Sequence, residues 1–68
     1  MTNLELERRL RGWSQTQMAA KVGVQQGDIS LMEHGRYIPT AKVLARIARK
    51  LGLTSETVLA EAPSEAVA

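Results

Sequence analysis

Apolar residues recur along the chain at the three- and four-residue spacing of amphipathic α-helices. In the first segment Leu6, Leu10 and Trp13 stand at positions i, i+4 and i+7, which would place them on one face of a helix. No stretch of the sequence alternates apolar and polar residues as a half-buried strand does. The pattern therefore predicts an all-α domain whose core is built from the apolar faces of short helices.

Capping residues and glycines divide the sequence into five short helices. Thr2 with Glu5, and Ser14 with Gln17, have the spacing of a capping box at the start of the first and second helices. The third helix begins near Gln25, a weaker cap than the Ser, Thr or Asp favoured there. Glycine commonly follows the last helical residue, and the first four helices are expected to end at Gly12, Gly23, Gly35 and Gly52.

The fourth and fifth helices follow a loop that contains glycine and proline. The fourth helix is expected to start at Thr40, and the fifth at Thr54 or Ser55. The fifth helix carries the apolar pair Val58 and Leu59. The fourth helix has a longer apolar stripe, formed by Val43, Leu44, Ile47, Ala48 and Leu51.

Length and composition indicate one small domain. Of the 68 residues, we expect residues 1–61 to form the domain and residues 62–68, which contain a proline and small residues, to be a flexible tail. The chain has no cysteine, which excludes a disulfide and a thiolate metal site. No apolar run approaches the roughly 20 residues of a membrane-spanning helix. The sequence also begins unlike a signal peptide, so we predict a cytoplasmic protein with no membrane partner.

Charge is distributed unevenly along the chain. The formal net charge is +2, and the segment 56–68 contains three acidic residues but no lysine or arginine. Since residues 1–55 hold all nine basic residues and four of the seven acidic ones, their net charge is +5. A basic body is typical of a protein that binds nucleic acid, although charge alone fits an ordinary solvated surface equally well.

The segment 15–34 has the pattern of two helices that meet at a glycine. Ala19 stands four residues before Gly23, and Ile29 stands six residues after it. A small residue fits where the second helix crosses the first, and glycine tolerates the left-handed conformation in which the first helix ends. A helix braced in this way can enter the major groove of DNA. The apolar residues that would hold the two helices at a fixed angle are Met18, Val22, Val24, Ile29 and Met32.

Together these residues resemble the lambda-repressor-like helix-turn-helix family, which includes the phage repressors and the Cro-type regulators. The resemblance covers roughly residues 4–60 and implies a five-helix domain that binds operator DNA, usually as a homodimer. Glu33 resembles a family position that pairs with an arginine of the first helix, here Arg8 or Arg11. The resemblance is carried by Trp13-Ser14-Gln15, Met18-Ala19, Val22-Gly23-Val24, Ile29-Ser30, Glu33-His34-Gly35-Arg36, Pro39, Leu44, Ile47-Ala48 and Leu51-Gly52-Leu53.

The resemblance also implies which residues contact DNA. Gln26 matches the family position that most often reads a base, and a glutamine can bond to N6 and N7 of adenine. Leu31 is apolar on a face that otherwise meets solvent. It would contact a thymine methyl group, unless it is one of the scattered surface leucines that are common in proteins. The predicted base contacts are Gln25, Gln26, Ser30 and Leu31, and the predicted phosphate contacts are Gln15, Gln17, Arg36, Tyr37 and Lys42.

The predicted function is that of a sequence-specific DNA-binding transcriptional regulator, associated with the nucleoid. We expect a dimeric repressor that reads a near-palindromic operator on double-stranded DNA, with a dimer interface formed by Leu53, Val58 and Leu59. Two alternatives remain open. One is an antitoxin that binds its toxin through the acidic, apolar tail 61–68, and the other is a controller protein of a restriction-modification system. The single histidine, His34, has no partners for metal binding or catalysis, so we predict no enzyme activity, no metal and no cofactor.

Overall fold

The computed structural model describes residues 1–63, which form four α-helices. They are α1 (Asn3–Leu10), α2 (Gln15–Val22), α3 (Gln26–Glu33) and α4 (Ala41–Leu51). Helix α2 lies at the centre and packs mainly against α3, with further contacts to α4. The predicted all-α class is confirmed, and no described helix is long and apolar enough to cross a membrane.

The helix starts follow the predicted caps with one difference. At α2 the capping box is complete, because the Ser14 side chain accepts from the Gln17 amide and the Gln17 side chain accepts from the Ser14 amide. At α1 the Thr2 hydroxyl accepts from the Glu5 amide at 3.1 Å. The Glu5 carboxylate does not reach back to Thr2 and instead pairs with Arg9, one turn along the same helix. The predicted box at α1 is therefore only half formed.

The predicted fifth helix is wrong, because residues 54–60 form turns rather than an α-helix. Two carbonyls of this segment accept hydrogen bonds from the first amides of α1. The Leu4 amide donates to the Val58 carbonyl, and the Asn3 amide donates to the Ala60 carbonyl, each at 2.9 Å. A helix this short has little stability of its own. The first amides of a helix have no partner within that helix. In α1 these amides pair with the carbonyls of residues 58 and 60, which would otherwise have accepted hydrogen bonds within a fifth helix.

The core lies between the four helices and the turn segment 54–60. The expectation that Leu10 belongs to it is wrong, since Leu10 is 70% exposed at the last turn of α1. The inward face of α1 instead carries Leu4 and, four residues later, Arg8. The largest fully buried side chains are Leu4, Met18, Val22, Ile29, Met32, Ile47 and Val58.

The two ends of the described chain meet. Thr2 and Glu61 form an isolated antiparallel bridge, and the Ala62 amide donates to the Met1 carbonyl at 2.8 Å. Ala62 is also buried, so the first residue of the predicted tail is packed against the domain. Residues 64–68 of that tail lie outside the described residues.

Candidate nucleic-acid interface

The turn between α2 and α3 is built on Gly23. Its φ of 78° lies in the left-handed region, and its amide donates to the Ala19 carbonyl at 2.9 Å, as the glycine pattern predicts. Arg46 of α4 closes this helix end from outside, because its guanidinium donates to the carbonyls of Val22 and Gly23. A cation at a helix C-terminus is favoured by the helix dipole. Sequence reasoning missed this role of Arg46, since nothing local links two positions so far apart.

A buried ion pair ties α1 to the end of α3. The Arg8 guanidinium donates from Nε and Nη2 to the two carboxylate oxygens of Glu33, at 2.7 and 3.2 Å. Only 13% of the Arg8 side chain and 3% of the Glu33 side chain are exposed. The hydrogen bond to Glu33 raises the pKa of Arg8 above its ordinary value despite partial desolvation. Arg11, the other candidate, follows the last residue of α1 and pairs with Glu7, four residues earlier, so Arg8 is the partner of Glu33.

Glu33 also orients the glutamine at the start of α2. The Gln15 Nε2 donates to the Glu33 Oε1 at 3.2 Å. A carboxylate only accepts hydrogen bonds, so Gln15 must turn its amide nitrogen towards Glu33 and its oxygen away. That oxygen accepts from the Nε2 of Gln26, on α3, at 3.1 Å. The Gln26 side chain, which is exposed, therefore keeps its oxygen and one remaining N–H for another partner.

The other predicted base contacts lie at the N-cap of α3 and along the helix. Gln25 is exposed, and its side chain makes no capping hydrogen bond, as its weak capping preference predicts. Ser30 is half-buried. Leu31 is 43% exposed, so the expectation that this apolar side chain stands outside the core is confirmed. Ser30 and Leu31 border a shallow cleft together with His34 and Arg36.

The predicted phosphate contacts are spread over three elements. Besides Gln15, α2 carries Gln17, whose oxygen is already used in the capping box. Arg36 and Tyr37 are exposed in the loop after α3, and Lys42 is exposed in the first turn of α4. Neither Arg36 nor Lys42 forms an ion pair with a described residue, so both charges face solvent.

The three predicted dimer residues differ in their surroundings. Val58 is fully buried in the core of its own chain, and its side chain is not available to a second copy. Leu53 and Leu59 are half-buried and pack against the edge of that core. Among the described residues, no group of three or more His, Asp or Glu side chains could hold a metal ion.

A comparison with protein families agrees with this geometry. The family model described as Helix-turn-helix (HTH_3) matches residues 4–59, which include all four α-helices except the first residue of α1. No curated protein matches the chain, and no solved structure matches it.

Proposed function

The chain belongs to the Cro/CI-type helix-turn-helix family of DNA-binding transcription regulators, and from this membership we propose that it is a dimeric repressor which reads a specific operator. Helix α3 enters the major groove, and the start of α2 and the loop after α3 contact the flanking phosphates. Such a protein acts at the nucleoid, in the cytoplasm.

The observation that supports specific reading is the hydrogen-bond chain from Glu33 through Gln15 to Gln26. Its direction leaves Gln26 with an outward oxygen acceptor and an outward N–H donor. Adenine offers the complementary pair in the major groove, a donor at N6 and an acceptor at N7, whereas guanine offers two acceptors. We therefore propose that Gln26 reads an adenine, and that Glu33 and Gln15 are positioning residues for this contact.

The remaining contacts follow from exposure and charge. Gln25, Ser30 and Leu31 complete the base-reading surface on α3, with Leu31 against a thymine methyl group. The cations Arg36 and Lys42 neutralise phosphates. The predicted polar phosphate contacts Gln15, Gln17 and Tyr37 fix the register of the protein on the duplex.

We also propose that two copies assemble through Leu53 and Leu59. Both are half-buried leucines that pack against the core from outside it. A two-fold dimer sets its recognition helices one helical turn of DNA apart, about 34 Å, which requires a near-palindromic operator. The antitoxin and controller roles use the same DNA-binding surface. For the antitoxin role, residues 61 and 62 are already paired with the start of the chain, so the toxin-binding segment would begin after them.

The experiment that tests the proposal starts with selection of bound sequences from random DNA duplexes. A near-palindromic consensus is expected, and failure to enrich any sequence would contradict specific recognition. Competition binding with single-base variants then compares Gln26→Ala with the matched control Arg36→Ala. Gln26→Ala should lose about 1–3 kcal/mol of discrimination at one base pair per half-site, because one bidentate contact is removed. Arg36→Ala should weaken binding to all variants alike.

Equal weakening of every operator variant by Gln26→Ala would make Gln26 a backbone contact. A preference for guanine at the affected base pair in the wild-type protein would contradict the assigned direction of the hydrogen-bond chain.

A further inference from the structure

Gly27 is a glycine that the fold does not require. Of the five glycines in the chain, all within the described residues, the other four have φ between 69° and 78°. In that region a side chain is strained, so each of the four is explained by its backbone. Gly27 has an ordinary helical conformation as the second residue of α3.

Packing does not explain Gly27 either. A Cβ atom built at this position meets no atom within 4 Å other than those of its chain neighbours and the nearby backbone of its own helix, and the residue is exposed. Glycine in an exposed helix lowers stability relative to alanine, because it loses more backbone freedom on folding. The domain therefore carries a destabilising residue with no compensating contact inside the described chain. Close approach of the backbone to a bound partner is the remaining physical use of glycine.

The position of Gly27 on α3 identifies the partner. Residues three and four apart share a helix face, so Gly27 lies on the face of Ser30 and Leu31, directly after Gln26. With about 3.6 residues per turn, Gly27 falls between Gln26 and the exposed Leu31 around the axis of α3, and its missing side chain leaves a gap there. The gap is therefore located in the middle of the proposed base-reading surface.

We propose that Gly27 is a specificity-determining residue: its missing side chain lets the edge of one base pair, next to the pair read by Gln26, come into contact with the α3 backbone. This inference rests on the proposed function and adds a second base pair to the recognition. A methyl group at this position occupies the space of the base edge, so Gly27→Ala stabilises the free protein and weakens the complex.

The test measures stability and binding of the same variants. Gly27→Ala should raise the midpoint of thermal unfolding by up to about 4 °C, because alanine is the better helix former and the first turn of α3 has part of the penalty that glycine has in a helix interior. Its affinity for the selected operator should fall about tenfold or more, and Gly27→Ser should lose affinity in the same way. Repeating the selection with Gly27→Ala should change the preferred base next to the adenine position and leave the other positions unchanged.

Ala20→Gly is the matched control, because Ala20 is exposed on α2 and the change removes a methyl group instead of adding one. It should lower the unfolding midpoint and leave operator affinity unchanged. Wild-type affinity in Gly27→Ala, or a lower unfolding midpoint, would overturn the inference and leave the proposed function intact. Failure of the wild-type protein to enrich any DNA sequence would instead contradict the proposed function itself.

Discussion

Removing Arg8 should destabilise this domain far more than removing Arg9, the next residue of α1. Arg8 is 13% exposed and donates two hydrogen bonds to Glu33, of which only 3% is exposed. Arg9 is 59% exposed and pairs with Glu5 across one helical turn. Methionine replaces either arginine with an unbranched apolar side chain, so Arg8→Met and Arg9→Met differ in the burial of the lost charge and in the carboxylate that it paired with.

The expected magnitudes follow from this difference in burial. Arg8→Met leaves the Glu33 carboxylate buried without its cation, which costs about 3–5 kcal/mol. Arg8→Met also removes the hydrogen bond that Arg8 Nη1 donates to the Trp13 carbonyl. Arg9→Met removes an exposed pair of the kind that contributes about 0.3–0.5 kcal/mol. A domain of 68 residues has a total stability of roughly 3–10 kcal/mol, so the loss of Arg8 should leave it close to unfolding.

Urea and thermal unfolding, followed by circular dichroism, measure these free energies. The unfolding midpoint of Arg8→Met should fall by at least about 12 °C, since each kcal/mol shifts a domain of this size by about 4–8 °C. The double variant Arg8→Met with Glu33→Met should recover much of the loss, because a buried ion pair can be replaced by apolar side chains at little cost. If Arg8→Met and Arg9→Met lower the free energy of unfolding by amounts that agree within about 0.5 kcal/mol, the buried ion pair is not a major source of stability.

The same double variant separates the structural role of Glu33 from its proposed role in DNA recognition. Without the carboxylate, nothing fixes which end of the Gln15 amide faces Gln26. A folded double variant should therefore bind the operator with reduced discrimination between adenine and guanine at the base pair read by Gln26.

Two further predictions concern binding and assembly. Operator affinity should fall linearly on a log–log plot against salt, with a slope of about −0.9 per phosphate neutralised; a flat dependence would argue against contacts from Arg36 and Lys42. Leu59→Glu should give monomers in sedimentation and weaken operator binding steeply, because it places a charge in the proposed apolar contact. The control Leu10→Glu, at an exposed position on α1, should remain dimeric, and a folded Leu59→Glu dimer with normal operator binding would exclude this interface.

The sequence by itself determined the features that depend on neighbouring residues. The start of α2 follows from Ser14 and Gln17, and its end from Gly23, because a capping box and a left-handed glycine act within four residues. Helical periodicity likewise predicted Met18, Ile29 and Met32 as core residues, all of which are buried. Local rules of this kind are sufficient for the all-α class and for the helix-turn-helix.

The tertiary structure decided what depends on residues far apart in the chain. Arg8 and Arg11 have equivalent chemistry, and only the tertiary placement of α1 near the end of α3 brings Arg8 to Glu33, 25 residues away. The segment 54–60 has a helical pattern, yet its carbonyls pair with the first amides of α1, more than 50 residues earlier. The unpaired amides at the start of a helix can bond to acceptors from any part of the chain. Tertiary packing decides which acceptor lies within reach, and local sequence patterns do not predict that packing.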